Sequence, residues 1–316
     1  MRTRPTGEAA SEPDVASPAS GRREVKRVPL LINGRAGQGR AGRVTRSAIE
    51  RLLAELGYQV EITTSESRSQ GVAWGRAVAG RYELALVAGG DGTMNSVLEG
   101  LCGSDTALGL IPLGTGNCLA RELGLPRVIR RSVLVAARGR PQPIDVGVMN
   151  GRPFAVMAGV GFDARVVASM GASIKNLLGP WAYVAKGLAL LGRYRPGQFR
   201  VVADGDELAF PGWLVVVGNT ATYVYRWRLA ENARIDDGLL DVCLFGASKP
   251  AQMLAGISYA LTGLGGRQVL YRRAARVEVD SDPPVHVQVD GEPAGMTPAR
   301  VEVLPGALKV MVPGGD

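Results

Sequence analysis

Three glycines around one carboxylate, Gly89-Gly-Asp-Gly-Thr-Met-Asn95, follow directly on the short apolar run Leu84-Ala-Leu-Val-Ala88. Such a run is too short for a helix, and no polar residue interrupts it, as expected of a parallel strand covered on both faces. Gly89, Gly90 and Gly92 can take φ > 0 and let backbone N–H groups converge on an anion without a Cβ in the way. Thr93, Met94 and Asn95 then open a helix expected over 94–102, whose N-terminal dipole also favours phosphate. Asp91 has no evident packing task there, and a carboxylate beside phosphates calls for an intervening cation or hydroxyl. The chemistry this suggests is metal-bridged nucleotide binding or phosphoryl transfer. The alternative is a Gly-rich strand-to-helix turn with Asp91 as its N-cap.

Further loops of the same kind point the same way. The run 28–32 reads as a strand ending in Asn33-Gly-Arg-Ala-Gly37, and 59–63 as a strand ending in Thr63-Thr64-Ser65. The run 107–112 reads as a strand ending in Leu113-Gly-Thr-Gly-Asn117. Helices are expected over 43–56, over 71–79 and from Cys118, so strands alternate with helices. The pattern predicts an open parallel α/β sheet with ligand at the carboxyl ends of its strands. Neither Gly-x-Gly-x-x-Gly with its distal acid nor a Gly-Lys-Ser/Thr phosphate loop is present, which disfavours a dehydrogenase and a P-loop ATPase.

Beyond residue 141 the pattern changes to hairpins. Asn150-Gly151 and Asp204-Gly205 are turn dipeptides between strands expected over 144–149 and 153–158, and within 199–210. Further strands are expected over 213–218, 239–245, 276–280, 285–289, 300–304 and 308–312, with apolar helices near 176–191 and 250–264. In the strand over 285–289 the sole histidine, His286, falls on the face opposite the valines and is expected to be exposed.

The 316 residues are 46% hydrophobic with a net charge of +8, the composition of an ordinary soluble protein that favours anionic partners. No apolar run is long enough to span a bilayer. The Arg-, Ala-, Ser- and Pro-rich residues 1–27 read as a disordered tail and not as a signal peptide. Cys102, Cys118 and Cys243 lack metal-ligand spacing and are expected as free thiols of a reducing cytosol. Basic residues are scattered with few aromatics between them, against a nucleic-acid binder.

The loops above, followed by Gly161-Phe-Asp-Ala164, Asp236-Asp-Gly-Leu-Leu-Asp241 and Asp290-Gly-Glu292, occur in the order seen in the diacylglycerol kinase catalytic-domain family. The resemblance spans 28–312; the family includes bacterial lipid kinases and sphingosine and ceramide kinases, and is distantly similar to NAD kinases. It implies an α/β nucleotide-binding domain over 28–143 and an antiparallel β-sandwich substrate domain over 144–304. The last strand, 305–316, would pack back on the first domain, and the active site would lie in the cleft. The implied cofactors are ATP and Mg2+. Asn33, Gly34, Arg35, Ala36, Gly37, Thr64, Gly89, Gly90, Asp91, Gly92, Thr93, Met94, Asn95 and Thr115 fall on its ATP-binding positions. Asp237, with the carbonyls of Arg234 and Leu239, matches a magnesium site, and oxygen donors suit that ion. Asp290 and Glu292 match the turn that supplies the general base; Glu292 reaches further, and Asp91 is the third catalytic candidate.

The resemblance thus implies an ATP-dependent lipid kinase acting on a diacylglycerol- or sphingoid-like hydroxyl, cytoplasmic and peripheral to the inner face of the membrane. Its expected partners are a lipid substrate and anionic lipid, without nucleic acid and with a homodimer left open. The alternatives are an NAD or other soluble-metabolite kinase, and a nucleotide-binding regulator without turnover. Asn33-Gly34 stands where the family usually has Asn-Pro, and Cys118-Leu119 where bacterial members commonly have Asp-Phe. An interfacial role is expected for the helix over 176–191, with a core helix as the alternative.

Overall fold

The computed structural model of the chain describes residues 26–34, 39–170, 185–224, 227–230, 232–247, 252–256 and 269–314. The tail expected over 1–27 therefore falls outside them, save that Lys26 and Arg27 are the exposed first residues of a strand. Strands and helices alternate through the first half: β1 (Lys26–Asn33), α1 (Gly39–Glu55), β2 (Tyr58–Ser65), α2 (Arg68–Val78), β3 (Leu84–Gly89), α3 (Asp91–Leu101), β4 (Ala107–Pro112), α4 (Cys118–Glu122) and α5 (Ile129–Arg138).

The four strands are parallel in the order β4-β3-β1-β2. All residues of β4, and all but the first of β3, are buried, as their unbroken apolar sequences require. On one face Leu30, Ile32, Leu86 and Ala88 meet Ile49 and Leu53 of α1 and Val133 and Ala136 of α5. On the other, Leu31, Ala85 and Val87 meet Trp74 and Val78 of α2 and Val97, Leu98 and Leu101 of α3. Helices α2 and α3 approach backbone to backbone, since a Cβ at Gly100 would lie 2.5 Å from the Val72 carbonyl and 2.6 Å from the Arg76 nitrogen. That contact sets the start of α2 beside α3.

The second half contains β5 (Arg140–Met149), β6 (Arg152–Phe154), β7 (Met157–Gly161), α6 (Phe162–Ser169), β8 (Gly197–Ala203), β9 (Asp206–Gly218), β10 (Thr222–Val224), β11 (Trp227–Arg228), β12 (Leu240–Gly246), β13 (Val269–Ala274), β14 (Arg276–Asp282), β15 (His286–Val289), β16 (Glu292–Met296) and β17 (Ala299–Val312). All its internal pairings are antiparallel, and β9 turns the corner between two layers. Its first half pairs with β8, and its second with β7 and β12. Val160, Val215, Val217, Val242, Val287 and Val289 of one layer pack on Phe199, Val201, Val277, Val279 and Val301 of the other. The outer face is covered by Phe162 and Val166 of α6 and by Leu191 and Tyr194.

Several sequence expectations change. Residues 206–218 form one strand, not a hairpin arm and a separate strand. Residues 299–312 do likewise, with a register shift between Leu304 and Leu308 where Pro305-Gly306 suggested a break. Beyond the shift, Lys309 and Val310 pair in parallel with Ala107 and Leu108 of β4, so β17 runs through both halves. Helix α3 starts at Asp91, three residues early, with Gly90 as N-cap. His286 is half-buried, not exposed. Of the helices expected near 176–191 and 250–264, only 185–191 and 252–256 lie within the described residues, and both are helical. All three cysteines are free thiols, and no described helix is long and apolar enough to cross a membrane.

Candidate active site

The site begins where β3 and β4 end. Gly90 is extended, φ −98°, and neither it, Gly89 nor Gly92 takes a positive φ, contrary to expectation. Glycine is needed here for close approach: a Cβ on Gly114 would lie 2.6 Å from the Gly90 Cα. The two loops therefore touch through their backbones. Asn117, left-handed at φ 50°, closes the second loop: its amide donates to the Gly114 carbonyl at 2.6 Å, and its Oδ1 accepts the Gly114 N–H at 3.1 Å.

Asp91 ties the loops together. It sits in the first turn of α3, where the helix dipole favours an acid, and its Oδ1 accepts the Cys118 N–H at 2.6 Å. The carboxylate thus does have a packing task, which the sequence did not reveal. Burial raises its pKa above the ordinary carboxylate value, opposed by the backbone donors and by Arg121.

Asn33, at the end of β1, donates from Nδ2 to Thr93 Oγ1 at 2.7 Å, and the Gly34 N–H donates to the Ser65 carbonyl at 2.8 Å. Thr64, Thr115 and Gly92 are exposed along this edge. Thr93, Met94 and Asn95 are buried, Met94 in the hydrophobic core, and the Thr93 side chain packs against Gly89, 2.8 Å from where a Cβ there would sit. Arg35, Ala36 and Gly37 lie outside the described residues.

The β-rich half brings its acidic turn to the same edge. Asp290 and Gly291, at φ 46° and 77°, make the tight turn between β15 and β16. The Asp290 carboxylate accepts three backbone N–H groups, from Ala155 at 3.0 Å, Val156 at 3.1 Å and Met157 at 2.8 Å, and so holds the turn between β6 and β7. Burial nevertheless lifts its pKa to about 6, and the negative charge of Asp91 adds to the rise.

Glu292 is placed differently. Its Oε2 accepts from Arg68 Nη1 at 2.8 Å and from Arg152 Nη2, while its Oε1 faces Gly92, 3.7 Å from where a Cβ there would sit. Arg68 also pairs with Glu99 of α3 at 2.5 Å. Neither arginine was identified from sequence, because each lies more than a hundred residues from Glu292 and belongs to no motif.

The Asp236-Asp237-Gly238 turn is held by Asp145, whose Oδ2 accepts the Gly238 N–H at 2.6 Å and whose Oδ1 accepts the Gly306 N–H at 2.8 Å. Asp237 accepts the Leu239 N–H at 3.2 Å and forms an ion pair with Arg273. Arg234 is exposed and lies 3.5 Å from Asp236. The neighbouring Asp241 is buried beside Tyr271, its Oδ2 without a partner, and burial lifts its pKa to about 6 against the opposing charge of Arg273. Among the described residues no three His, Cys, Asp or Glu side chains converge as a metal-binding group. One carboxylate with two carbonyls is still an all-oxygen set of the kind a magnesium ion accepts, with water completing its shell. The guanidinium of Arg273 now supplies the positive charge at Asp237. Asp163, in Gly161-Phe-Asp163, accepts from Gln288 Nε2 at 3.0 Å and from the Ala164 N–H at 2.6 Å, and serves the packing of α6.

Comparison with known proteins agrees with this arrangement. Residues 27–149 match the family model of the diacylglycerol kinase catalytic domain. Residues 156–312 match that of the YegS C-terminal NAD kinase beta sandwich-like domain. A diacylglycerol kinase of Mycobacterium tuberculosis strain H37Rv is 33% identical over 92% of this chain and 97% of that protein. The diacylglycerol kinase of Bacillus subtilis strain 168 is 32% identical over 73% of this chain and 78% of its own length. A probable lipid kinase YegS-like of Chromohalobacter salexigens is 31% identical over 91% and 93%. A crystal structure of a diacylglycerol kinase from Bacillus anthracis strain Sterne shares the fold, with a TM-score of 0.76 at 24% identity over 91% of this chain and 97% of that one. With both halves matched and a relative 33% identical over 97% of its length, the chain belongs to the diacylglycerol kinase catalytic-domain family of lipid kinases.

Proposed function

We propose that the protein transfers the terminal phosphoryl group of ATP to a hydroxyl of a diacylglycerol- or sphingoid-like lipid, with Glu292 as the base. The observation that carries this reading is the meeting of Glu292 Oε1 with Gly92: a carboxylate of the β-rich half faces the glycine loop of the α/β half. A base must come within hydrogen-bonding reach of the acceptor hydroxyl, and the phosphates must lie at the same place. The division at 143/144, with 305–316 returning to the first domain, is the domain arrangement that accompanies this proposal.

Asn33, Gly34, Arg35, Ala36, Gly37, Thr64, Thr115 and the loop from Gly89 to Asn95 are the proposed nucleotide contacts. Bound ATP with magnesium would supply the phosphoryl group and neutralise charge as it moves. Asp91 is proposed to act through its charge on the metal or substrate side, and Asp290 to hold the turn that aims Glu292. Asp237, with the carbonyls of Arg234 and Leu239, is the proposed magnesium turn, where the ion would displace Arg273 from the carboxylate. Work at the inner membrane surface with anionic lipid accords with the net charge of +8.

The purified protein would be incubated with ATP labelled at the terminal phosphate, magnesium and a lipid extract, then partitioned into organic solvent. Label in the lipid fraction supports the reading. Label confined to water-soluble products would point to a soluble-metabolite kinase instead.

A further inference from the structure

We propose that Arg68 is the positioning residue for Glu292, tying the base of one half to the helix that the nucleotide loop of the other half opens; the proposal rests on the reading of Glu292 given above. Arg68 is the first residue of α2, directly after the N-cap Ser67, whose hydroxyl accepts the Gln70 N–H. A cation in a helix's first turn opposes the helix dipole, and no acidic residue in that turn offsets it. Local helix stability therefore gives no reason for arginine at this position.

The tertiary contacts do give one. One guanidinium edge donates to Glu292 Oε2 at 2.8 Å, and another nitrogen meets Glu99 Oε2 at 2.5 Å. The fork thus spans α3 of the first half and β16 of the second. Its framework is stiff, because the glycine contact of α2 with α3 fixes where the side chain begins. The three side chains keep 25–33% of their exposure, so solvent screens the pair and limits its contribution to overall stability. Orientation is the larger effect. Arg68 and Arg152 both occupy Oε2, which leaves Oε1 as the oxygen directed at Gly92. Arg152 lies in the same half as Glu292 and also donates to the Pro293 carbonyl at 2.9 Å, so it orients the base within its own hairpin. Of the two, Arg68 is the one that links it to α3, the helix that the proposed ATP loop opens.

The test is a double-mutant cycle on kinase turnover, with melting temperatures measured alongside. Arg68→Gln should lower kcat on the order of tenfold, the scale at which small misplacement of a catalytic group is felt, with KM for ATP nearly unchanged. In a Glu292→Gln background the same change should cost less than about twofold, because the side chain that Arg68 orients is already disabled. Arg68→Lys should recover part of the loss, since an ammonium keeps the charge but not the fork. Additive losses in the cycle, or a raised KM for ATP at intact kcat, would overturn the proposal and make Arg68 a packing or nucleotide residue. A wild type that labels no lipid would remove the kinase reading itself and this inference with it.

Discussion

Two acidic turns with similar sequences, Asp236-Asp237-Gly238 and Asp290-Gly291-Glu292, do different work. At the first, Asp237 is bound by its own turn and by Arg273, and the nearby buried carboxylate Asp241 keeps one oxygen without a partner. At the second, Asp290 gives both oxygens to backbone N–H groups, while Glu292 has one oxygen on two arginines and the other toward the opposite half. A carboxylate saturated by backbone donors mainly shapes the chain. One that keeps an oxygen directed across a cleft is available for chemistry. By this criterion Glu292 is the acid placed for chemistry, and Asp290 and Asp145 the architectural ones; Asp91, held by the Cys118 N–H, is the case that only its charge can decide.

The largest effect that would sharpen the comparison is at Asp91. Asp91→Asn keeps an oxygen for the Cys118 N–H but removes the charge, so phosphoryl transfer should fall below about 1% of wild type at an unchanged melting temperature, a loss of the size usual for one acid–base group. Asp91→Ala should in addition lose stability, by about 1–3 kcal/mol for an unpaired buried donor. Near wild-type transfer by Asp91→Asn would reduce the residue to a loop staple.

At the Asp237 turn the expected effect is smaller and thermodynamic. Magnesium should raise the melting temperature of wild type but not of Asp237→Ala, because an ion that binds only the folded state stabilises it by mass action. Arg273→Ala should strengthen the response by removing the competing cation. Equal magnesium shifts in all three proteins would exclude a metal there.

The smallest effect is a slope. The pKa of Asp241 in the folded protein, about 6, lies above the ordinary value near 4. Its protonation therefore favours folding: the contribution is fully present below about pH 4 and is lost as pH rises through about 6. Asp290 titrates with the same sign. Melting temperatures from about pH 4 to 6.5 should thus fall less steeply with pH for Asp241→Asn than for wild type, and parallel curves would show that burial does not govern this carboxyl.

What was legible in the sequence was what depends on neighbours in the chain. The runs at β3 and β4, the glycine loops after them, and the Asn150-Gly151 and Asp204-Gly205 turns all state their structure locally. Less visible were elements whose pattern is mixed. Strand β16, Glu-Pro-Ala-Gly-Met, carries a proline and a glycine that usually mark a break. Helix α5 has Val128 as its N-cap, which offers no side-chain hydrogen bond, and α6 follows Gly161, at φ 110°, directly from a strand. Strand β9 changes from half-exposed alternation to a fully buried run near Pro211, so one strand read as two. The partners of the acids were illegible for a different reason. Arg68, Arg152 and Asp145 meet their counterparts across 224, 140 and 93 residues, and such pairs leave no local signature.

The claim that Glu292 acts and Asp290 supports is tested most directly by turnover at saturating ATP in Glu292→Gln and Asp290→Asn, with ATP affinity and melting temperature determined on the same samples. Glu292→Gln should turn over about 10²-fold more slowly or worse, with ATP affinity and stability near wild type. Asp290→Asn should mainly lose stability, since its amide would face the Ala155 N–H with a second donor. An active Glu292→Gln beside a stable but inactive Asp290→Asn would contradict the account.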